Sequence, residues 1–311
     1  MRRRISWLIR ITISGGIILW LFSRYNLREV LTSFEALPLH MPAAACLMYL
    51  AAQMLSSLRW QVLCTLFSFR DKWRTFLGFY FVGMFFNLFL PTGLGGDFFK
   101  IHFLSRKNGR RLSATFTVLG DRLFGLIAML LIGAASVKIR PDLLPSPLSD
   151  ILFAGGLAVL GGLFFLPLIA RMEIPFWPAL SPYLKDLLAI WRRPKEMFII
   201  LGLSFILQAL GMGAVAVLGS GLGIKVPVTF YFAAVPVVAI AILIPISLNG
   251  IGIREGAFVY LLGLKGIPAA PALCLGLLYF AVQAAVSLIG GAAYAAGFHR
   301  RDTTLQDRPD I

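Results

Sequence analysis

The sequence predicts an all-α, polytopic helical membrane protein built from two copies of one plan. Three observations predict it. Hydrophobic residues fill 59% of the 311 positions and charged residues 14%, with a mean hydropathy of +0.83, which leaves too little polar surface for a soluble globule of this size. Apolar segments that approach or exceed the roughly 20 residues needed to cross about 30 Å of hydrocarbon recur along the chain. These segments also repeat at an offset of about 154 positions, so residues 1–150 form repeat A and 151–305 repeat B of a single membrane domain.

The first apolar run covers residues 5–21. The Met1-Arg2-Arg3-Arg4 start resembles a signal sequence, yet Ser23-Arg24-Tyr25-Asn26 offers no small-x-small cleavage site, so the run reads as an uncleaved anchor helix. Further spans are predicted at 43–66, 114–137, 151–170, 197–218 and 272–296, which makes six full crossings. The net charge of +15 would suggest nucleic acid as the partner of a soluble protein. Here the basic residues cluster in short loops beside the spans, which is the positive-inside signal and excludes a nucleic-acid reading.

Those loops set the orientation. Arg2, Arg3, Arg4 and Arg10 place the N-terminus in the cytoplasm, so the 24–40 connection lies outside and Arg70, Lys72 and Arg74 lie inside. Arg106, Lys107, Arg110 and Arg111 lie inside as well, so the apolar stretch between these two loops must enter and leave by one face, as a re-entrant pair of short helices. A second broken stretch, 229–264, is flanked only by Lys225 and Lys265 and suits an outward-facing re-entrant pair. Hydropathy alone would score the re-entrant halves as extra spans, giving seven or eight. Three crossings per repeat turn repeat B upside down relative to repeat A, an arrangement found in transporters. Residues 175–196 read as an interfacial connector. The tail, 301–311, reads as a polar cytoplasmic segment.

The breaks share a pattern. Pro91-Thr92-Gly93-Leu94-Gly95-Gly96-Asp97-Phe98-Phe99-Lys100 and Pro245-Ile246-Ser247-Leu248-Asn249-Gly250-Ile251-Gly252-Ile253-Arg254 both read P-x-x-L-x-G-x-x-x-[K/R]. Backbone leaves helical geometry at membrane depth only where protein or a water-filled cavity satisfies its N–H and C=O groups. Gly93, Gly95 and Gly96 permit a sharp turn, and Asp97 is placed to cap the returning helix. In repeat B the capping role falls to Asn249 or Ser247, ahead of Gly250 and Gly252. Two half-helix N-termini meeting near the midplane would suit an anionic group such as phosphate. Tight turns between packed helices are the alternative.

Seven charges lie within apolar segments: Arg59, Asp97, Lys100, Asp121, Arg122, Arg254 and Glu255. Each would cost about 2.5–3.5 kcal/mol unpaired at the bilayer centre. They must pair or line water. Arg59 and Asp121 each stand seven residues from the cytoplasmic end of their spans, roughly 10 Å deep at 1.5 Å per residue. Arg59, Asp97, Lys100, Asp121 and Arg122 are therefore expected around one cytoplasm-facing cavity, with Arg254 cancelling Glu255 in the other half. A structural ion pair between Arg59 and Asp121 is the competing reading. The excess of one positive charge favours an anionic ligand. Cys46, Cys64 and Cys274 lack metal-ligand spacing and read as packing residues; His40, His102 and His299 look peripheral, and no cofactor motif, P-loop or Rossmann fingerprint occurs.

Arg59-Trp60, the Pro91–Lys100 stretch, Gly120-Asp121-Arg122-x-x-Gly125 and Pro245-x-Ser247-x-Asn249-Gly250-x-Gly252-x-Arg254-Glu255 resemble the flippase-like family, the transmembrane region of lysylphosphatidylglycerol synthases and their stand-alone relatives. The resemblance runs over residues 5–300. It implies translocation of a phospholipid or a polyprenyl-phosphate-linked intermediate between leaflets of a bacterial or archaeal cytoplasmic membrane. Lys100 stands where arginine is expected, which keeps a point charge and loses bidentate geometry. No acyltransferase domain follows residue 305, so the resemblance does not carry aminoacyl transfer to this chain, and no enzyme activity is expected. A coupled carrier of a small anion, and an accessory subunit for a separate synthase or glycosyltransferase, are the alternatives.

Overall fold

The computed structural model of the chain describes residues 12, 15, 16, 23, 27–89, 95–106, 109–169, 189–243, 247 and 249–297. Among them are ten α-helices and no strand. The first half contains α1 (Leu27–Glu35), α2 (His40–Leu66), α3 (Trp73–Phe89), α4 (Gly95–Ser105) and α5 (Arg111–Ile139). The second contains α6 (Ser146–Ile169), α7 (Pro194–Gly221), α8 (Val228–Leu243), α9 (Ile253–Gly263) and α10 (Ala269–Ala295), with a 3₁₀ turn at Ala189–Arg192 before α7. Five helices, α2, α5, α6, α7 and α10, are long and apolar enough to cross a membrane, so the chain is a polytopic helical membrane protein. The predicted span at 5–21 falls outside the described residues.

Between the long helices of each half stand two short ones. α4 and α9 are 11 residues each, roughly 16 Å at 1.5 Å per residue, and too short to span about 30 Å of hydrocarbon. Pro91 and Pro245 lie outside the described residues, but the backbone after the second break is visible: Asn249, Gly250 and Gly252 adopt φ of 49°, 77° and 88°. Glycine holds such angles without steric cost, which is why two of the three positions carry it.

α2 lies along α7. α3 packs against α10 and α8 against α5, while α4 packs on both α3 and α5 and α9 on both α8 and α10. Exchanging α2 with α7, α3 with α8, α4 with α9 and α5 with α10 leaves this set of contacts unchanged. The same exchange relates two close crossings: a Cβ at Gly290 of α10 would stand 1.9 Å from the Phe81 carbonyl oxygen of α3, and one at Gly133 of α5 would stand 3.1 Å from Pro236 Cγ of α8.

The buried apolar side chains form two main clusters. One joins Trp60, Leu63 and Phe67 at the end of α2 to Phe76 and Phe79 of α3, Leu104 of α4, Ala114 of α5 and Ile200 of α7. The other joins Val215 and Leu218 at the end of α7 to Phe230 and Ala234 of α8, Leu261 and Leu262 of α9, Ala272 and Leu275 of α10 and Leu143 of the α5–α6 loop. Each short pair thus belongs to a different cluster.

One segment gains a helix and two capping readings need correction. The 24–40 connection contains α1, whose Val30 is buried and accepts a bond from Cys274 Sγ at 3.2 Å through its carbonyl. Asp97 does not stand at the N-cap of its helix; it is the third residue of α4. Neither Asn249 nor Ser247 caps α9, which follows Gly252. Instead Glu255 Oε2 accepts the Gly252 N–H at 2.6 Å, one half of a capping box. The half-helices end at Ser105 and Gly263, an offset of 158. Counted at that offset, Asp97 stands opposite Glu255, whereas the P-x-x-L-x-G pattern, at an offset of 154, sets Lys100 opposite Arg254.

Candidate functional site

A cavity of about 470 Å³ lies between the two halves, within the range of small-molecule sites. Helices α2, α3, α4 and α5 line one side, and α7, α8, α10 and Asn249 the other. Of the candidate residues, Arg59, Asp97, Lys100, Asp121, Arg122 and Asn249 reach it. Gly95 and Gly96 are buried in the first turn of α4. Arg254 and Glu255 are buried without lining it, and Gly250 and Gly252 shape the turn before α9.

The charges are arranged in two groups. Arg59 Nε and Nη2 both lie 2.8 Å from Asp121 Oδ1, and its Nη1 donates to Ser204 Oγ at 3.0 Å, so this cation ties α2 to α5 and α7. Gly125 lies beside it: a Cβ there would stand 3.4 Å from Nη1, an ordinary contact. Asp97 is shared between two cations. Its Oδ2 accepts from Arg122 Nε, and its Oδ1 lies 3.9 Å from Lys100 Nζ. Lys100 also stands 3.5 Å above the Tyr80 ring centroid, a cation–π contact that holds it against the wall.

Why α4 can bring Asp97 here is a matter of small residues. The Gly96 N–H donates to Asn87 Oδ1 at 2.7 Å, and a Cβ at Gly96 would stand 1.8 Å from the Gly83 carbonyl oxygen. The α3–α4 crossing thus depends on the lack of a side chain, as small-residue contacts between membrane helices do.

Arg254 behaves differently from the expectation that Glu255 cancels it. The Glu255 carboxylate accepts the Gly252 N–H, whereas Arg254 Nη2 donates to the Asn249 carbonyl at 3.2 Å and Nε and Nη1 find no hydrogen-bond partner among the described residues. Its guanidinium lies 5.3 Å from the Phe280 ring. Since Asn249 and Phe280 both line the cavity, Arg254 stands one side-chain layer behind its wall. Around the cavity itself, three cations face two carboxylates.

Sequence reasoning passed over Gln53, Asn87, Gln208 and Gln283, which also line the cavity together with Tyr49, Tyr80 and Phe280. A signal was present: an uncharged amide within an apolar span needs a partner or water just as a charge does. Among the described residues no group of His, Cys, Asp and Glu side chains has the geometry of a metal site.

Neither a curated protein nor a solved structure matches the chain significantly. The family model described as "Lysylphosphatidylglycerol synthase TM region" matches residues 7–291. That match takes in every helix bounding the cavity and nearly the whole chain, and the protein belongs to the family of lysylphosphatidylglycerol synthase transmembrane regions.

Proposed function

We propose that the chain is a lipid translocase, moving an anionic phospholipid or polyprenyl-phosphate-linked intermediate between leaflets without changing it chemically. The observation that carries this reading is the position of Arg122. It stands 11 residues, about 16 Å, from the first residue of α5, a helix roughly 43 Å long, and so lies well within hydrocarbon depth. Its side chain is nonetheless 42% exposed. Leu119, one turn before it on the same face, and Leu123, the next residue, are exposed too, as is Phe98 of the adjoining α4. A lipid arriving from the side can set its phosphate on Arg122 while its tails remain against these apolar side chains. A water-soluble anion has no use for such a rim.

Once inside, the phosphate competes with Asp97 for Arg122 and Lys100. Asn249 faces this group across the cavity, with the charge of Arg254 behind it. The two halves act as an inverted repeat, with α3–α4 and α8–α9 dipping into the membrane from opposite faces. The contact pattern that survives exchange of the halves supports this, as does the assignment of each short pair to a different core cluster. Rocking of one half against the other exposes the cavity alternately. The basic loops orient both termini to the cytoplasm of a bacterial or archaeal cell, in whose cytoplasmic membrane the chain resides.

Reconstitution of the purified chain in vesicles carrying fluorescent anionic lipid or polyprenyl phosphate tests the reading. Accelerated leaflet exchange is expected. Accumulation of soluble phosphate with no lipid exchange would replace it with a small-anion carrier, and exchange seen only with an added synthase or glycosyltransferase would make the chain an accessory subunit.

A further inference from the structure

The uncharged part of the cavity wall is rich in side-chain amides. The chain contains nine Asn and Gln residues. Five of them, Gln53, Asn87, Gln208, Asn249 and Gln283, line this cavity, although its lining is so small a share of the chain that an even scatter would place about one there at most. They converge from four helices and the connection before α9, so no single amphipathic stripe accounts for them. Gln61, the other amide in a span, donates to the Asp71 carbonyl near the end of α2. Amides at membrane depth are expensive unless paired, and the pairing here is incomplete. Gln208 Nε2 donates to the Gly125 carbonyl at 2.7 Å and keeps its carbonyl oxygen, while Asn87 receives Gly96 and keeps its amino group. The side chains of Gln53 and Asn249 have no partner among the described residues.

Side-chain amides both donate and accept, and so complement hydroxyl groups, which do the same. Tyr49, Tyr80 and Phe280 add ring faces to the same wall. By contrast, both carboxylates are already engaged by cations, so no free acid awaits an ammonium group, and the excess positive charge repels one. We infer that the site selects a hydroxyl-rich anionic headgroup, a glycosyl phosphate carried on a lipid, over a bare phosphate and over an aminoacylated headgroup. This rests on the lipid-translocation reading and names its substrate class: the phosphate takes Arg122 and Lys100, and the sugar hydroxyls take the amides.

The test is binding to the full chain in nanodiscs, using polyprenyl-phosphate hexose, polyprenyl phosphate, lysylphosphatidylglycerol and free hexose phosphate as four probes. The glycosyl lipid should bind about tenfold more tightly than polyprenyl phosphate, because a site built to hydrogen-bond hydroxyls discriminates against ligands that lack them, and lysylphosphatidylglycerol should be the weakest of the lipids, because the excess positive charge repels its ammonium groups. Gln53→Leu should lower the glycosyl-to-bare affinity ratio by about fivefold, and Gln53→Met provides a second, unbranched variant should the first fail to fold. Equal binding of the glycosyl and bare lipids, or tighter binding of the lysyl lipid, overturns the inference and leaves lipid translocation standing. Free hexose phosphate binding as tightly as its lipid-linked form overturns lipid translocation instead.

Discussion

Arg59 shows what it takes to keep a cation at membrane depth. Its side chain is only 4% exposed, and its donors meet Asp121 and Ser204, so the charge is compensated in place. Asp121 is held almost entirely by this partner, and the pair neutralises itself. A buried pair of this kind adds little net stability, yet removing one member strands the other. Arg59→Leu or Asp121→Leu alone should therefore destabilise the protein by about 3–5 kcal/mol, while the double variant should recover most of that loss. Thermal unfolding in detergent checks it, and a double variant as unstable as the worse single one would refute the pairing. Arg122 is the opposite case, half exposed and bound to a carboxylate that has a second cation. Arg122→Ala should leave insertion and unfolding temperature nearly unchanged while cutting lipid exchange at least tenfold. Arg122→Lys should retain part of it, because a point charge remains where a bidentate fork is lost.

The short helices α4 and α9 are where close backbone approach decides the architecture. A side chain at Gly96 would collide with the backbone of Gly83, so neither helix can relieve the clash by turning a rotamer. Gly96→Leu should separate α3 from α4 and pull Asp97 away from Arg122. A large fall in folded yield by size-exclusion chromatography is expected, whereas Gly256→Ala, where an added Cβ meets nothing within 4 Å, should behave as the wild type. The existence of these short elements was readable from the Pro-Gly breaks, because backbone disruption inside an apolar run has few other meanings. Their register was not. The match of Lys100 with Arg254 depended on residue types, while the ends of the two helices, Ser105 and Gly263, set Asp97 opposite Glu255. α1 escaped detection because it is only nine residues long and its apolar face, Leu27, Val30, Leu31 and Phe34, sits among polar neighbours; contact with Ala270 and Cys274 of α10 is what completes its cluster.

At the level of the entire chain, the two halves meet at a cavity to which each contributes side chains, and that joint ownership was only half readable. The charged members stood out because charge in an apolar run is conspicuous. The amides did not, since one Gln in a span passes for packing until several arrive at one place. The proposed inverted arrangement makes a geometric demand that can be checked without any ligand. α2 ends and α5 begins at one side of the bundle, where Arg110 lies 5.1 Å from the Phe69 ring. α9 ends at the other, where Lys265 Nζ donates to the Asp142 carbonyl in the α5–α6 loop. Arg106, just past α4, and Lys265, just past α9, are both exposed, so both suit labelling. With Cys46, Cys64 and Cys274 replaced by alanine, Arg106→Cys should react with a membrane-impermeant maleimide only in inside-out vesicles, and Lys265→Cys only in intact cells. Labelling of both from one compartment would mean that the short pairs enter from the same face, and a path handed from one half to the other across the cavity would lose its geometry.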